Sequence, residues 1–406
     1  MNNMLKYLSW GFFYRLLLIG VFAFIFFLVV AYARGYRFDP EKKSISPTGI
    51  LAVSSQPKAA KIFINDQLKG ITDMNITLPP GNYKVEIKKE GYTSWNKQIV
   101  LKGELVLTLD ALLFPLNPSL SPLTNLGIIK AIPVYPTDRI LLIRDNSDPE
   151  TDGIYLFDAG KKPLSLFSPL KLLILKKNLP AGLEFADPIS NFSPDYKQTV
   201  LEFKTGELTN SYLISLEDEN QTAFDVTASK DTLLSAWNEK KQLNNLKILE
   251  TYPKEITKIA TDSFHIVSFS PNETKVLYRS KQTIVLPYVI NPPLIATNQT
   301  KEERLLQKDS LYIYDKKEDK NFYIPYKPAA SDENSVIWLP DSKHLAIKSG
   351  KKIEVVDYDG NNTQTIYSGP FESNFIALSS DGTLVIMANL NPEVNKYFDL
   401  YEVGIK

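Results

Sequence analysis

The chain has 406 residues, 46 basic and 46 acidic side chains with no formal net charge, no cysteine and two histidines. That length exceeds one ordinary core and predicts two or more domains. Balanced, well-mixed charge gives no basic field for nucleic acid. The missing cysteines remove disulfides, thiolate metal sites and cysteine nucleophiles, and two histidines are too few for a histidine-rich metal site.

Residues 1–15 read as a short cytoplasmic segment. Residues 16–33 carry no charge and as a helix would reach about 27 Å, close to the roughly 30 Å hydrocarbon core of a bilayer. Trp10, Tyr14, Tyr32 and Tyr36 flank the run as interfacial aromatics, and Arg15 can snorkel at its edge. This pattern predicts an uncleaved signal anchor, a single pass holding the chain in the lipid bilayer of a cell membrane. The rival is a cleaved signal peptide, because Ala31-Tyr32-Ala33 has the small-x-small form of a cleavage site; the long apolar run without a polar break argues against it. Lys6 and Arg15 precede the run, whereas Arg34, Arg37, Lys42 and Lys43 follow it, so charge alone does not place the bulk of the chain outside. Residues 34–48 read as a polar spacer.

From Gly49 to residue 112 the text is all-β, in short runs mostly bounded by Gly, Pro, Asn or Asp, and predicts a small antiparallel β-sandwich. Within it, "PPGNYKVEIKKEGY" opens on Pro80-Gly81, read as a type II turn with positive φ at Gly81. Tyr83, Val85 and Ile87 then face one side of a strand and Lys84, Glu86 and Lys88 the other, before Glu90-Gly91 and Tyr92. Residues 113–124, with three prolines in "FPLNPSLSP", read as a stiff linker.

The stretch ending in "LPPGNYKVEIKKEGY", with the Gly of "LKGIT", resembles a PEGA domain over about 60 residues. The name-giving tetrapeptide stands here as "PKAA", and the expected Gly-x-Thr-Pro as "GITD". The resemblance implies a β-sheet module of extracytoplasmic proteins, a spacer or contact surface with no agreed catalytic role. The layout of anchor, PEGA-like module and repeat-bearing C-terminal part resembles that of bacterial envelope proteins, and this is what places residues 34–406 outside the cytoplasm.

Residues 125–406 carry a repeat. The turns "VYPTDRILLIRD", "NFSPDYKQTVLEF", "SFSPNETKVLYRS", "IWLPDSKHLAIKS" and "ALSSDGTLVIMAN" align, with an apolar residue (Val134, Phe192, Phe269, Trp338, Leu378) two positions before the Pro or its Ser380 equivalent. Each is followed downstream by a second signature: "GIYLFDAG", "SYLISLEDEN", "SLYIYDKKED", "KIEVVDYDG" and "FDLYEVGIK". Strand, turn, strand and a further strand make one blade of a β-propeller. The turns, best matched by Ser193-Pro194-Asp195 and Ser380-Asp381-Gly382, resemble those of TolB-like propellers. Five blades are recognisable, and a sixth could lie in 161–187 or 228–262. Residues 229–247 read as a helix capped by Ser229, with Leu233, Trp237, Leu243 and Leu246 as its apolar stripe. Residues 285–310 form a long excursion, read either as a binding loop or as a flap on the propeller.

The predicted fold is thus all-β: a transmembrane helix, a PEGA-like β-sandwich and a five- to six-bladed β-propeller with insertions. No nucleophile, zinc, phosphate-loop or dinucleotide motif is present, so no catalytic, cofactor-binding or metal-binding residue is assigned. His344 aligns with Gln198 and Lys275 and is read as solvent-facing. His265 lacks an assignable carboxylate partner. The acidic loops at 144–153 (Asp145, Asp148, Glu150, Asp152) and 357–362 read as hairpin tips, weak calcium binding being the alternative for the first. The function expected is a membrane-anchored, extracytoplasmic binding scaffold that presents the propeller as an interaction platform with the PEGA-like module as its stalk. It is not an enzyme, with an envelope protein or glycan as partner and no nucleic acid. A propeller enzyme acting on glycans is the alternative, which would need two carboxylates about 5–10 Å apart.

Overall fold

A computed structural model of the chain describes residues 10–33, 35–39, 44–160, 168–326, 335–372 and 375–405. Lys6, Arg34, Lys42 and Lys43 lie outside them. The chain divides into two compact units: Met1–Leu113 with Ile295–Gln299, and Phe114–Leu294 with Thr300–Lys406.

The first unit opens with α1 (Trp10–Ala33), six residues longer at its start than the uncharged run. Its large apolar side chains, from Phe12 to Tyr32, are exposed on every side. Residues 34–48 are not only a spacer, because β1 (Tyr36–Asp39) and β2 (Ser44–Pro47) pair as an antiparallel hairpin. The sandwich follows: β3 (Gly49–Gln56), β4 (Lys61–Ile64), β5 (Gln67–Ile71), β6 (Met74–Leu78), β7 (Gly81–Lys88), β8 (Trp95–Leu101) and β9 (Val106–Leu112). Its sheets run β6-β3-β9 and β5-β4-β7-β8. Between them lie Leu51, Val53, Ile62, Val85, Ile87, Trp95, Leu107 and Leu109, each worth about 1.5–3 kcal/mol when fully buried.

The sandwich departs from the predicted antiparallel form in one pair: β3 and β9 run parallel, Ile50 beside Val106 through Gln56 beside Leu112. Alternation fixes which face a strand buries, not its direction. Val85 and Ile87 are buried as expected, with Tyr83 and Tyr92 at the core's margin. Gly81 is not a left-handed turn residue; it opens β7 opposite Leu101, and the positive φ falls on Gly91. At the edge of β8, the Gln299 side-chain amide pairs with both backbone groups of Val100 (2.5 and 2.8 Å).

Among the described residues, the second unit holds five four-stranded antiparallel sheets and one two-stranded pair. Its first strand, β10 (Leu120–Pro122), lies in the stretch read as a linker. Sheet I is β11 (Lys130–Pro133), β12 (Arg139–Arg144), β13 (Gly153–Asp158) and β14 (Leu170–Leu175). Sheet II is β15 (Ile189–Phe192), β16 (Gln198–Thr205), β17 (Leu208–Ser215) and β18 (Phe224–Asp225). After α2 (Lys230–Leu249) and α3 (Lys254–Ser263) comes sheet III, with β19 (Phe264–Phe269) and β20 (Lys275–Ser280). The short pair β21 (Ile284–Val285) and β22 (Leu305–Leu306) interrupts it before β23 (Leu311–Asp315) and β24 (Lys320–Ile324). Sheet IV is β25 (Val336–Trp338), β26 (His344–Ser349), β27 (Lys352–Asp357) and β28 (Gln364–Tyr367). Sheet V is β29 (Ile376–Leu378), β30 (Leu384–Ala388), β31 (Asp399–Val403) and β10, the last paired through Leu120 opposite Val403.

Each aligned turn joins the first two strands of a sheet, and each second signature is the third strand. This is propeller-blade strand order, with a strand from the unit's start completing its last sheet. The turns share a mechanism. Ser193 Oγ donates to Asp195 (2.6 Å) and accepts from Gln198 N–H (3.0 Å); Ser270 does the same with Asn272 (2.9 Å) and Lys275 N–H (3.0 Å). Positive φ falls at one aligned position: Tyr196, Glu273, Ser342 and Gly382. Shared cores join sheets V and I (Val385, Met387 with Ile140, Leu142), I and II (Ile143, Ile154 with Leu201, Ile214), and III and IV (Ile313 with Leu345, Val356).

No sixth sheet forms at 228–262: that stretch is α2 and α3, whose Leu249, Tyr252, Ile256 and Ala260 cover one face of sheet III. In 161–187, β14 belongs to sheet I, and residues 161–167 lie outside the described residues. Ser229 precedes α2 but its hydroxyl makes no cap bond. Leu233 and Trp237 lie on the half-buried stripe, which continues through Lys241, Asn245 and Ile248, leaving Leu243 and Leu246 exposed. A helical stripe advances by three or four residues, and 243 and 246 fall off it.

Candidate functional site

Among the described residues, the buried charged side chains other than Asp152 gather at sheets III and IV. His344 opens β26 and is 6% exposed, which overturns its reading as solvent-facing. Antiparallel register sets it opposite Asp357, the acidic residue that ends β27, and Nε2 lies 3.2 Å from that carboxylate. Nδ1 lies 2.6 Å from Asp341 in the preceding turn. Burial alone would lower the imidazole's proton affinity; the hydrogen bonds to Asp341 and Asp357 overcome it and raise the pKa to about 9. For Asp341, burial pushes the carboxyl up, but bonds from His344 and from the Lys343 and His344 N–H groups outweigh it and hold the pKa below its ordinary value. At neutral pH the group is therefore an imidazolium between two carboxylates, poorly suited to act as a base.

Sheet III repeats the arrangement with another cation. Lys275 opens β20 and is 7% exposed; its partner in register, Asp315, ends β23, and the charges lie 3.3 Å apart. The Tyr358 ring covers the ammonium at 4.6 Å. In sheet II the same register sets exposed Gln198 opposite Ser215. The signal that sequence alignment of the turns missed is the acidic residue closing "SLYIYD" and "KIEVVD".

The excursion at 285–310 is pinned rather than free. Leu286 and Leu306 are buried against sheet III. Asp319 accepts from the N–H groups of Val289 (2.7 Å) and Ile290 (2.9 Å), from the Tyr314 hydroxyl (2.9 Å) and from Arg304 (3.2 Å). Arg304 also reaches Pro287 O (2.7 Å) and Glu302 (2.7 Å) under the Tyr288 ring. Burial, then the Asp319 charge, push the Tyr314 hydroxyl well above its usual pKa.

In the acidic loop at 144–153, Asp152 accepts from the N–H groups of Asn146 (2.8 Å) and Asp148 (2.9 Å), while Asp145 pairs with Lys176 and Glu150 with Lys177, both at 2.7 Å. These carboxylates hold the loop's own backbone and neighbouring lysines, which favours the hairpin-tip reading. At 357–362, Asp359 accepts from Asn361 N–H (3.1 Å) and Thr300 (2.6 Å), and Gly360 takes φ +81° where a Cβ would meet Tyr323 O at 2.6 Å. Among the described residues no group of three or more His, Asp or Glu could hold a metal ion. His265 is exposed on the edge strand β19. In the first unit a shallow depression of about 270 Å³ is lined by Ala52, Ser54, Asp73, Met74 and Thr108.

No curated protein matches the chain. Among solved structures it is similar to one assigned as TolB from Agrobacterium tumefaciens, at 12% identity and TM-score 0.20, covering 62% of this chain and 66% of that one. Two others are a structure assigned as a 6-phosphogluconolactonase from Bacteroides uniformis (11% identity, TM-score 0.17, covering 84% and 95%) and hydrazine synthase of Kuenenia stuttgartiensis (9%, 0.19, 89% and 96%). None reaches the similarity of a shared fold, and the propeller-type architecture rests on strand order and the turn repeat. Residues 48–116 match the PEGA domain family, which bears out the resemblance carried by "LPPGNYKVEIKKEGY".

Proposed function

We propose that this chain is a single-pass membrane protein held by α1, presenting its sheets outside the cytoplasm as a binding scaffold for an envelope protein or glycan. One observation carries the reading: α1 has 24 residues, is long and apolar enough to cross a membrane, and from Phe12 to Ala33 none of its side chains is buried among the described residues. A bare cylinder of Phe, Leu, Ile and Val has no stable place in water. The PEGA match at 48–116 supports the extracytoplasmic placement. A scaffold rather than an enzyme is favoured by the polar clusters themselves, because His344, Lys275, Asp319 and Asp152 are spent on internal bonds that fix turns and loops. The test is protease shaving of intact cells or spheroplasts expressing the full chain, with a blot for its C-terminal end in the membrane fraction. Loss of that signal is expected; a protected, membrane-bound C-terminal part overturns the placement.

A further inference from the structure

The first unit ties the PEGA-matching module to the end of α1 without intervening length. The Gly35 N–H closes the helix onto Tyr32 O (3.1 Å), and Gly35 O then accepts both the N–H (2.9 Å) and the hydroxyl (2.6 Å) of Thr48. The hairpin β1–β2 therefore leaves and returns at one rung. Gly35 has φ +87°, and a Cβ there would sit 3.1 Å from Thr48 Oγ1, so this junction requires glycine. Thr48 O accepts from Glu104 N–H (2.9 Å) and Leu105 O from Ile50 N–H (2.9 Å), which makes the β8–β9 turn part of the same pole.

That pole carries an apolar pair with no partner in the sandwich. Ile50 and Val106 are neighbours in register, 39% and 53% exposed on the outer face of their sheet, with Lys102 and Glu104 exposed beside them. The 24 residues of α1 span about 36 Å, against roughly 30 Å for the hydrocarbon core and 40–45 Å with both headgroup layers. A helix that fills the core ends in the headgroup layer, and the hydrogen bonds that Thr48 donates to Gly35 O bring the pole there with it.

We propose that the pole formed by Thr48, Ile50, Lys102, Glu104 and Val106 is a membrane-contact surface, resting in the headgroup layer with Ile50 and Val106 toward the acyl boundary. The proposal rests on α1 being the anchor. The module then lies on the bilayer instead of serving as a stalk above it. Ile50 and Val106 gain an apolar surround there, and Lys102 reaches the lipid phosphates.

The chain lacks cysteine, so single-cysteine spin labelling of the full protein in phosphatidylcholine–phosphatidylglycerol nanodiscs is direct. Labels would be placed by Ile50→Cys and Val106→Cys, and by Glu90→Cys at the opposite pole, where β7 turns into β8 beyond Ile87 and Trp95. Phe22→Cys reports on the helix. The expected result is a higher ratio of oxygen to nickel-chelate accessibility at 50 and 106 than at 90. If 50 and 106 read like 90 while 22 reads lipid, the helix is an anchor but the module stands clear of the membrane, and the proposal fails. A water-like reading at 22 removes the anchor and the proposal together.

Discussion

Sheets II and IV follow one plan, yet the residue that opens the second strand is exposed Gln198 in one and buried His344 in the other. What differs is the residue across the ladder, Ser215 or Asp357. A cation enters the slot where a carboxylate closes the third strand, as Lys275 does beside Asp315 in sheet III. Burial at this position is therefore a property of a pair. It cannot be assigned to a side chain alone.

The comparison breaks hardest if one partner is removed. Asp315→Ala leaves the Lys275 ammonium buried without its carboxylate, beside the Tyr358 ring and Thr274, and should cost about 3–5 kcal/mol in denaturant unfolding of the full chain. Replacing both partners, Lys275→Met with Asp315→Leu, should recover most of that loss, since apolar isosteres of a buried ion pair are often neutral. A double variant no more stable than the single one would show that the pair is not the unit.

His344 sharpens the comparison through pH. Its folded pKa of about 9 stands above the ordinary value of 6.5, so its contribution is fully present below about pH 6.5 and is lost as pH rises through 9. The span corresponds to something on the order of 3 kcal/mol. His344→Gln should flatten the decline in stability between pH 7 and 9, read as the unfolding midpoint across that range. The smallest effect is expected where the slot is open: Gln198→Lys with Ser215→Asp creates a pair in water and should add about 0–1 kcal/mol, diminishing in salt.

Much of the second unit is legible in its sequence because its signals are local. Pro, Asp and Gly mark the turns, and alternation marks the strands that follow. The burial of His344 is not legible from the turns because one of its two partners, Asp357, lies in another strand; Asp341 is in the turn itself, but an aspartate there also stands in the exposed turn at Asp195. β10 reads as a linker since three exposed residues containing Ser and Pro have no strand signature; their partner is at the far end of the chain. The β1–β2 hairpin does alternate, Tyr36 and Phe38 against Arg37 and Asp39 with Ile45 in register with Phe38, but each strand has only four residues and the charged stretch at 40–43 between them reads as spacer. The excursion at 285–310 is legible as long and, in its flap reading, as packed on the propeller; the group that pins it is not, because Asp319 holds it from beyond its own end.

The pairing of β10 with β31 has a consequence for the order of synthesis. Sheet V needs residues 120–122 and 399–403, so nearly the whole second unit must leave the ribosome before its first strand has a partner. At roughly 5–20 residues per second that wait is on the order of tens of seconds. During it, the backbone groups of β10 and the face of sheet I that meets sheet V stand open to whatever is nearby. A nascent chain of this protein is one that a holding chaperone would have reason to meet.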